Sequence, residues 1–193
     1  AKAAVAAPTT TAAPATSTTA AAPAGTAAPA GALKVTDFGA VPDDGVDDQA
    51  ALQRAFDAAP AGGAVVIPPG TYHHSNVLYV SNAGVGVWGY GAVLDGTNPN
   101  AHAVVLRADN TALRGVTLVN HPTVRKTAEE HSGVSLHLTK GNVVRDVTVR
   151  GASAVGILVW GARDFEIVGN TVVDTMADGI HNVGGATNGI VRN

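Results

Sequence analysis

Short runs of alternating aliphatic and polar residues dominate the second half of the chain, and turns rich in glycine and asparagine separate them. Alternation with a period of two is typical of a half-buried β-strand. The runs also repeat, since matching residues recur 23 positions apart in three successive segments. The matching sets are Gly133, Gly156 and Gly179; Val134, Ile157 and Ile180; Val144, Ile167 and Ile190; and Asn170 and Asn193. A fixed repeat of this length indicates a solenoid.

A repeat of 23 residues suits one coil of a parallel β-helix. A single coil cannot bury its apolar side chains alone, so coils stack like residues on like at about 4.8 Å per coil. Leucine-rich and hexapeptide solenoids have other repeat lengths and other consensus positions. An earlier and looser copy, "AVVLRADNTALRGVTLVN", is displaced because residues 121–131 are inserted after it. We therefore predict an all-β parallel β-helix over residues 32–193, incomplete at its C-terminus because the last copy stops early.

The segment ahead of the first coil predicts an amphipathic α-helix. Asp47 or Asp48 can cap its N-terminus, and Pro60 with Gly62 ends it. Four apolar residues share one face at helical spacing: Leu52, Ala55, Phe56 and Ala59. Such a helix would cover the apolar end of the stack, which a solenoid needs in order to stay soluble.

Composition divides the chain in two. Residues 1–31 are almost wholly Ala, Pro, Thr, Ser and Gly. They offer too little apolar surface to offset a backbone entropy cost of about 1–2 kcal/mol per residue, so we predict a disordered tail or linker. Residues 32–193 form one domain-sized piece. The tail is similar to the mature start of secreted bacterial proteins, which favours a secreted or extracellular location.

Charge and cysteine content exclude several classes of function. With a net charge of −3 and 12 Lys and Arg residues, the chain has no basic stripe for nucleic acid. It has no apolar run of about 18 residues that could span a membrane. Cysteine is absent, which excludes disulfides and thiolate chemistry. We predict no metal and no cofactor, and the sequence leaves the oligomeric state open.

Three motifs carry a resemblance to a known superfamily. The stretches "DDGVDD" (residues 43–48) and "GGAVVIPPGTY" (62–72) resemble the N-terminal signature of the pectate-lyase-like superfamily. "WGYGAVLDG" (88–96) is similar to the next strand of polygalacturonase-like glycoside hydrolases. The resemblance implies a right-handed β-helix over roughly residues 33–193. The superfamily includes glycoside hydrolases, polysaccharide lyases, epimerases and phage tailspikes, so the reaction type stays open.

Strand alternation places two columns of side chains outward if the aliphatic residues point inward. One column holds Ser135, Leu158 and His181; the other holds Arg107, His137, Trp160 and Val183. In the families that this chain resembles, the outward face of one sheet is the sugar-binding groove. Trp160 beside His137 would then form a stacking platform for a sugar ring, with Arg107 in the same column. Alternatively, Trp160 covers a hydrophobic edge.

The motif "ADGIH" resembles the polygalacturonase motif in which Asn-Thr-Asp precedes Gly, an apolar residue and Asp. On that comparison, Asp178 takes the position of a catalytic carboxylate. The chain departs from the motif because Ala177 replaces a polar residue and His181 stands where a second Asp is usual. Alternatively, Asp178 orders a turn and His181 is a solvated strand residue.

Glycoside hydrolysis uses two carboxyl groups, about 5–5.5 Å apart for retention and about 6.5–9.5 Å apart for inversion. A partner for Asp178 is therefore expected one coil away. One coil earlier the matching residue is Val155, which has no carboxyl group. The matching position one coil later lies beyond Asn193. We interpret the chain as the N-terminal part of a longer enzyme or as a truncated reading frame.

The insertion 121–131 carries Arg125, Lys126, Glu129, Glu130 and His131. It leaves the solenoid just before the strand at Gly133, so it can overhang the groove. Arg125 or Lys126 could act as the base of a lyase, or could pair with the carboxylate of a uronic acid. Alternatively, the insertion is a solvated charged loop.

The sequence therefore predicts a polysaccharide-degrading glycoside hydrolase with Asp178 and His181 as catalytic residues. Substrate-binding residues are expected at five further positions: Trp160, His137, Arg107, Lys126 and Arg125. A lyase or epimerase, and a glycan-binding or tailspike-like surface protein without activity, are the alternatives.

Overall fold

The computed structural model describes residues 26–192. They form seventeen β-strands, one α-helix, α1 (Gln49–Ala58), and two short 3-10 helices, Val35–Phe38 and Glu129–His131. The predicted tail lies mostly outside the described residues, as does Asn193. Among the residues described, no helix is long and apolar enough to cross a membrane.

The strands form three sheets in which all paired strands are parallel. Sheet A runs β1 (Leu33–Lys34), β2 (Ala64–Val66), β5 (Gly86–Trp88), β8 (Ala112–Arg114), β11 (Val143–Arg145), β14 (Glu166–Val168) and β17 (Ile190–Arg192). Sheet B runs β3 (Gly70–His74), β6 (Ala92–Gly96), β9 (Thr117–Asn120), β12 (Thr148–Ala152) and β15 (Thr171–Thr175). Sheet C runs β4 (Leu78–Val80), β7 (Val104–Leu106), β10 (Val134–His137), β13 (Ile157–Trp160) and β16 (Ile180–Val183).

From β2 onward the chain visits sheets A, B and C in turn, and each visit to all three completes one coil. Five successive coils stack in this way, with β2–β4 as the first and β14–β16 as the fifth. The predicted parallel β-helix is therefore confirmed. Its right-handed sense stays a prediction.

The predicted repeat appears directly in the register of the strands. Ile157 pairs with Val134 on one side and with Ile180 on the other, so this ladder is confirmed. Val144 and Ile167 are also neighbours. The side chains of Val134, Ile157, Val144 and Ile167 are fully or almost fully buried in one continuous apolar core between the sheets.

The last step of the second ladder was predicted wrongly. Ile167 pairs with Val191 rather than with Ile190, which is a step of 24. Trp160 still pairs with Val183, a step of 23. The additional residue therefore lies in the following turn, where Gly184 and Gly185 both have positive φ angles of 67° and 79°. A glycine pair accepts this extra residue because it adopts left-handed backbone angles without strain.

Helix α1 begins and packs close to its predicted position. Leu52, Ala55 and Phe56 are buried in the core, and Ala59 follows the last helical turn. Asp48 occupies the N-cap position, but its carboxylate does not cap the helix. It accepts a hydrogen bond from the backbone N–H of Val41 at 2.8 Å instead, so it fastens the segment before the helix.

The helix also satisfies the free edge of sheet C. The side-chain amide of Gln53 donates to the carbonyl of Tyr79 at 3.0 Å and accepts from its N–H at 2.9 Å. One turn earlier, the Gln49 side chain donates to the carbonyl of Val77 at 3.0 Å and accepts from the N–H of Asn76 at 3.2 Å. Both glutamines thus act as substitutes for a neighbouring strand, and they cover an edge that would otherwise be open to pairing.

The connections from sheet B to sheet C border the outer surface of sheet C. The longest of them, residues 121–133, contains the predicted insertion, and the last, residues 176–179, contains Asp178. These connections bring Arg125, Lys126 and Asp178 to one edge of the sheet.

Candidate functional site

The outer face of sheet C carries both predicted columns of side chains in register. Ser135, Leu158 and His181 are successive partners, as are His137, Trp160 and Val183. Their exposure is less uniform than predicted, because Ser135 is fully buried and Leu158 is only 6% exposed.

The inserted loop is hydrogen-bonded to the neighbouring coils. The backbone N–H of Lys126 donates to the carbonyl of Ser153 at 2.7 Å, and the N–H of Ala154 donates to the carbonyl of His131 at 3.0 Å. These bonds hold the loop against the fourth coil. The imidazole of His102 anchors it from the second coil, where Nε2 lies 2.9 Å from the carbonyl oxygen of His131. The loop is therefore a fixed wall of the site.

A cleft of about 260 Å³ lies between this wall and the outer face of sheet C. Five of the seven predicted site residues line it: Arg125, Lys126, Trp160, Asp178 and His181. Its other lining residues are mainly apolar and include Leu158 and Val183. A largely apolar cavity with a few polar groups at one end is the usual form of a ligand site.

Asp178 and His181 form a pair at the fifth coil. Nδ1 of His181 donates to Oδ2 of Asp178 at 2.5 Å. The backbone of Asp178 is held as well, since its carbonyl accepts a hydrogen bond from the N–H of Gly156 at 3.0 Å. A carboxylate that contacts one ring nitrogen orients the imidazole and leaves the other nitrogen for proton transfer.

Trp160 is 43% exposed and lines the cleft. His137 stacks on it with a centroid separation of 6.1 Å and an interplanar angle of 21°. Nδ1 of His137 lies 2.6 Å from Oε2 of Glu129, which comes from the inserted loop. Glu129 therefore supports the aromatic platform. In the sequence, Glu129 is recognisable only as one of the charged residues of the inserted loop, because nothing in its local sequence marks a contact with His137.

Arg107 is the one predicted residue that lies away from this cluster. Its guanidinium carbon is 3.7 Å from the centroid of the Tyr79 ring, in a cation–π contact at the first coil. Strand β7 is three strands from β16 in sheet C, which corresponds to about 14 Å at 4.8 Å per strand. Arg107 therefore lies near the far end of the groove from His181.

The charges of the cleft are unevenly balanced. Asp178 is the only carboxylate among its lining residues within 26–192, whereas Arg125 and Lys126 supply two cations. In the described part of the chain, neither cation forms an ion pair. Val155 also lines the cleft, as expected one coil before Asp178, and it supplies no carboxyl group. The cleft thus suits a ligand that carries negative charge.

Two family profiles match the chain. One, described as rhamnogalacturonase A/epimerase, pectate lyase-like, matches residues 32–94. The other, described as periplasmic copper-binding protein (NosD), matches residues 72–193, which is more than half of the chain. Together they support the pectate-lyase-like superfamily that the motifs indicated.

Similar proteins include an iota-carrageenase from Alteromonas macleodii, which is 46% identical over 56 residues. That match covers 28% of this chain and only 11% of the enzyme. A candidate glycosyl hydrolase from Parabacteroides merdae superimposes with a TM-score of 0.55 at 12% identity, covering 83% of this chain and 95% of that one. The surface adhesin PfbA of Streptococcus pneumoniae gives a TM-score of 0.48 at 20% identity, over 70% of this chain and 39% of the adhesin. The superposition on the Parabacteroides protein shows a shared fold.

Copper in proteins is bound by thiolates, thioethers and imidazoles that converge on one point. This chain has no cysteine and one methionine. Within residues 26–192, no three side chains of His, Asp or Glu are grouped so that they could hold a metal ion. The residues described therefore do not fit a copper site.

Proposed function

This chain belongs to the family described as periplasmic copper-binding protein (NosD), and we propose that it is an exported protein that binds and degrades a polysaccharide. One observation carries the proposal: a single cleft gathers the Asp178–His181 pair, an exposed tryptophan and two cations. Aromatic rings stack on the apolar face of sugars, and cations pair with uronate or sulfate groups. The substrate that fits best is an acidic polysaccharide.

In the hydrolase form of the proposal, Asp178 acts as general acid or base and His181 assists it. In its protonated form Asp178 gives its proton to the glycosidic oxygen as the C–O bond breaks. Water adds its hydroxyl group to the sugar carbon, and the proton that water loses restores the acid. Trp160 and His137 hold the neighbouring sugar ring, and Arg125 with Lys126 pairs with its acidic group. Glu129 orients His137.

A lyase is the second candidate, because the cleft offers two cations and one carboxylate among its described lining residues. In β-elimination, a base removes the proton beside the uronate carboxylate and the C–O bond to the leaving sugar breaks, which leaves a double bond. The departing oxygen takes up a proton from water. Lys126 or Arg125 would take that proton. The product absorbs in the near ultraviolet, whereas the hydrolysis product is saturated.

The Asp178→Asn variant tests the catalytic assignment on pectin, alginate, carrageenan and a neutral glucan. We expect a 10²- to 10⁴-fold loss of reducing-end release, the range typical of general acid–base groups. Asp174→Asn is the matched control, since Asp174 is exposed in the same coil and outside the cleft lining. Its φ angle of 58° also suits asparagine.

Three results would contradict the hydrolase form. Equal activity of the two variants would remove Asp178 from the mechanism. Near-ultraviolet absorbance in the products would replace hydrolysis by elimination. Binding without turnover of any polysaccharide in the unmodified chain would make the protein a glycan-binding module.

The proposed export rests on the periplasmic description of the family and on the Ala/Pro/Thr-rich composition of residues 1–31. Fractionation of the native cells should place the protein in the periplasm or the medium, together with an exported marker enzyme. Recovery with a cytoplasmic marker would disprove export.

A further inference from the structure

A second cavity, of about 280 Å³, lies on the outer face of sheet A, and none of its lining residues belongs to the cleft on sheet C. Trp88, Arg114 and Asn110 supply its larger side chains. Residues 29–32 form one wall. Its floor consists of small residues: Gly62, Gly63, Ala64, Gly84, Gly86 and Ala112.

The indole ring of Trp88 packs against this floor at Gly86. A Cβ atom placed on Gly86 would come within 2.3 and 2.4 Å of two atoms of the indole ring. The ring therefore rests directly on the backbone of Gly86, in the space that any other residue would fill. Trp88 is nevertheless partly exposed, so part of its ring contributes to the cavity surface.

The guanidinium of Arg114, on the next strand, stands over the indole ring. The two residues are register partners in sheet A, and the guanidinium carbon is 5.8 Å from the indole centroid. Within residues 26–192, Arg114 forms no ion pair, and no carboxylate lines the cavity. The next residue in this column, Arg145, is neutralised by Glu166 at 3.2 Å. Arg114 is therefore the charge available to a ligand.

We propose that this cavity is a second binding site for an acidic oligosaccharide. A sugar ring would pack on the exposed part of the Trp88 indole, a carboxylate or sulfate group would pair with Arg114, and the Asn110 amide would hydrogen-bond to a hydroxyl group. The flat floor lets a chain of sugars approach the sheet. The class of ligand rests on the function proposed above, but the site itself does not depend on catalysis. Two sites on different faces would hold one polysaccharide with higher avidity than either site alone.

The chain contains two tryptophans, and each candidate site holds one of them. Trp160→Phe leaves Trp88 as the only indole, and Trp88→Phe leaves Trp160. Each variant is titrated with oligogalacturonate, oligomannuronate and sulfated carrageenan oligosaccharides while tryptophan emission is followed. We expect saturable changes in both variants, with separate dissociation constants. Because Trp160 is an exposed residue, the decisive Trp160→Phe variant is expected to fold normally.

Two further variants, made in the Trp160→Phe background, test the geometry. Arg114→Gln should weaken the Trp88 response about 10- to 100-fold, as expected for loss of one charge-assisted contact. Gly86→Ala should lift the ring from the floor, shift its emission and weaken binding while leaving all charges in place. Neither change should alter the Trp160 response in the Trp88→Phe background.

The outcomes separate the two proposals. A Trp88 response without a Trp160 response supports this site and overturns the cleft. A Trp160 response with constant Trp88 emission overturns this site alone. Constant emission in both variants overturns both. An equal Trp88 response to a neutral oligosaccharide of the same length would overturn the assignment of an acidic ligand.

Discussion

Six of the seven histidines of this protein fall into two groups that differ in their surroundings. Four of them contact a carboxylate near the surface: His73 and His121 at Asp95, His137 at Glu129, and His181 at Asp178. His74 and His102 are instead fully buried. Buried imidazoles are the residues most sensitive to acid, because protonation would place a charge where water cannot solvate it.

We predict that the free energy of unfolding falls as the pH drops below about 6.5, the ordinary pKa of histidine. Burial lowers the pKa of both His74 and His102 in the folded protein. The unfolded chain therefore binds protons that the folded chain excludes. This contribution to stability is complete above the pKa that histidine has in the unfolded chain. Below that pKa, the free energy of unfolding falls by about 1.4 kcal/mol per pH unit for each histidine, until the pH reaches the lower pKa of the folded protein. Urea unfolding between pH 5 and pH 8 measures the slope.

His102→Gln is the variant that isolates one of these protons. A glutamine amide can still donate to the carbonyl of His131, so the anchor of the inserted loop is preserved. In this variant, the free energy of unfolding should depend less steeply on pH, by the contribution of one proton. An unchanged slope would show that His102 does not contribute to the acid sensitivity.

The strand ladders have energetic consequences that differ from coil to coil. Ile157 and Ile180 occupy equivalent positions in β13 and β16 and are direct partners. Ile157 is fully buried, whereas Ile180 is 38% exposed at the outer coil. The same substitution should therefore have unequal effects.

Ile157→Ala is expected to cost about 2–5 kcal/mol of unfolding free energy, because it removes buried methyl groups and leaves a cavity between two coils. Ile180→Ala should cost less than half as much, since one side of that side chain already faces solvent. Urea denaturation of both variants gives the comparison. Equal losses would contradict the assigned burial, and a negligible loss at Ile157 would contradict the register.

The turns between sheets also follow from single residues. Oδ1 of Asn170 accepts from the N–H of Val147 at 2.8 Å, and its Nδ2 donates to the carbonyl of Val144 at 2.9 Å. The side chain satisfies backbone groups at the bend between sheets A and B. An asparagine at this point of the repeat is therefore part of the turn.

Taken as a whole, the molecule is a stack whose two ends differ. At the β2–β4 end, β1, helix α1 and residues 43–48 cover the free strand edges. At the other end of the described residues, Ile180, Val183 and Val191 of the outer strands are 37–48% exposed. Within the three sheets each coil pairs only with its neighbours, so stability is expected to be highest next to the helix and to decrease toward β17.

The coil, the ladder through Ile157 and the helix face at Leu52 and Phe56 were predictable from the sequence. Strands, helix and coils repeat every two, 3.6 and 23 residues respectively, and such periods are visible in the order of the residues. The exception is the pairing of Ile167 with Val191 instead of Ile190. It results from one extra residue in a glycine turn, which a constant repeat length does not reveal.

The cleft, in contrast, depends on how the chain is folded between its repeats. The contact of Glu129 with His137, the gathering of Arg125 and Lys126 beside Asp178, and the stacking of Arg107 on Tyr79 join residues that have no periodic relation. The glutamines on the edge of β4 are a further example. A loop's path is fixed by hydrogen bonds to coils distant in sequence, such as those of Ser153 and His102. Such bonds form wherever donor and acceptor meet in space, so they leave no pattern in the order of the residues.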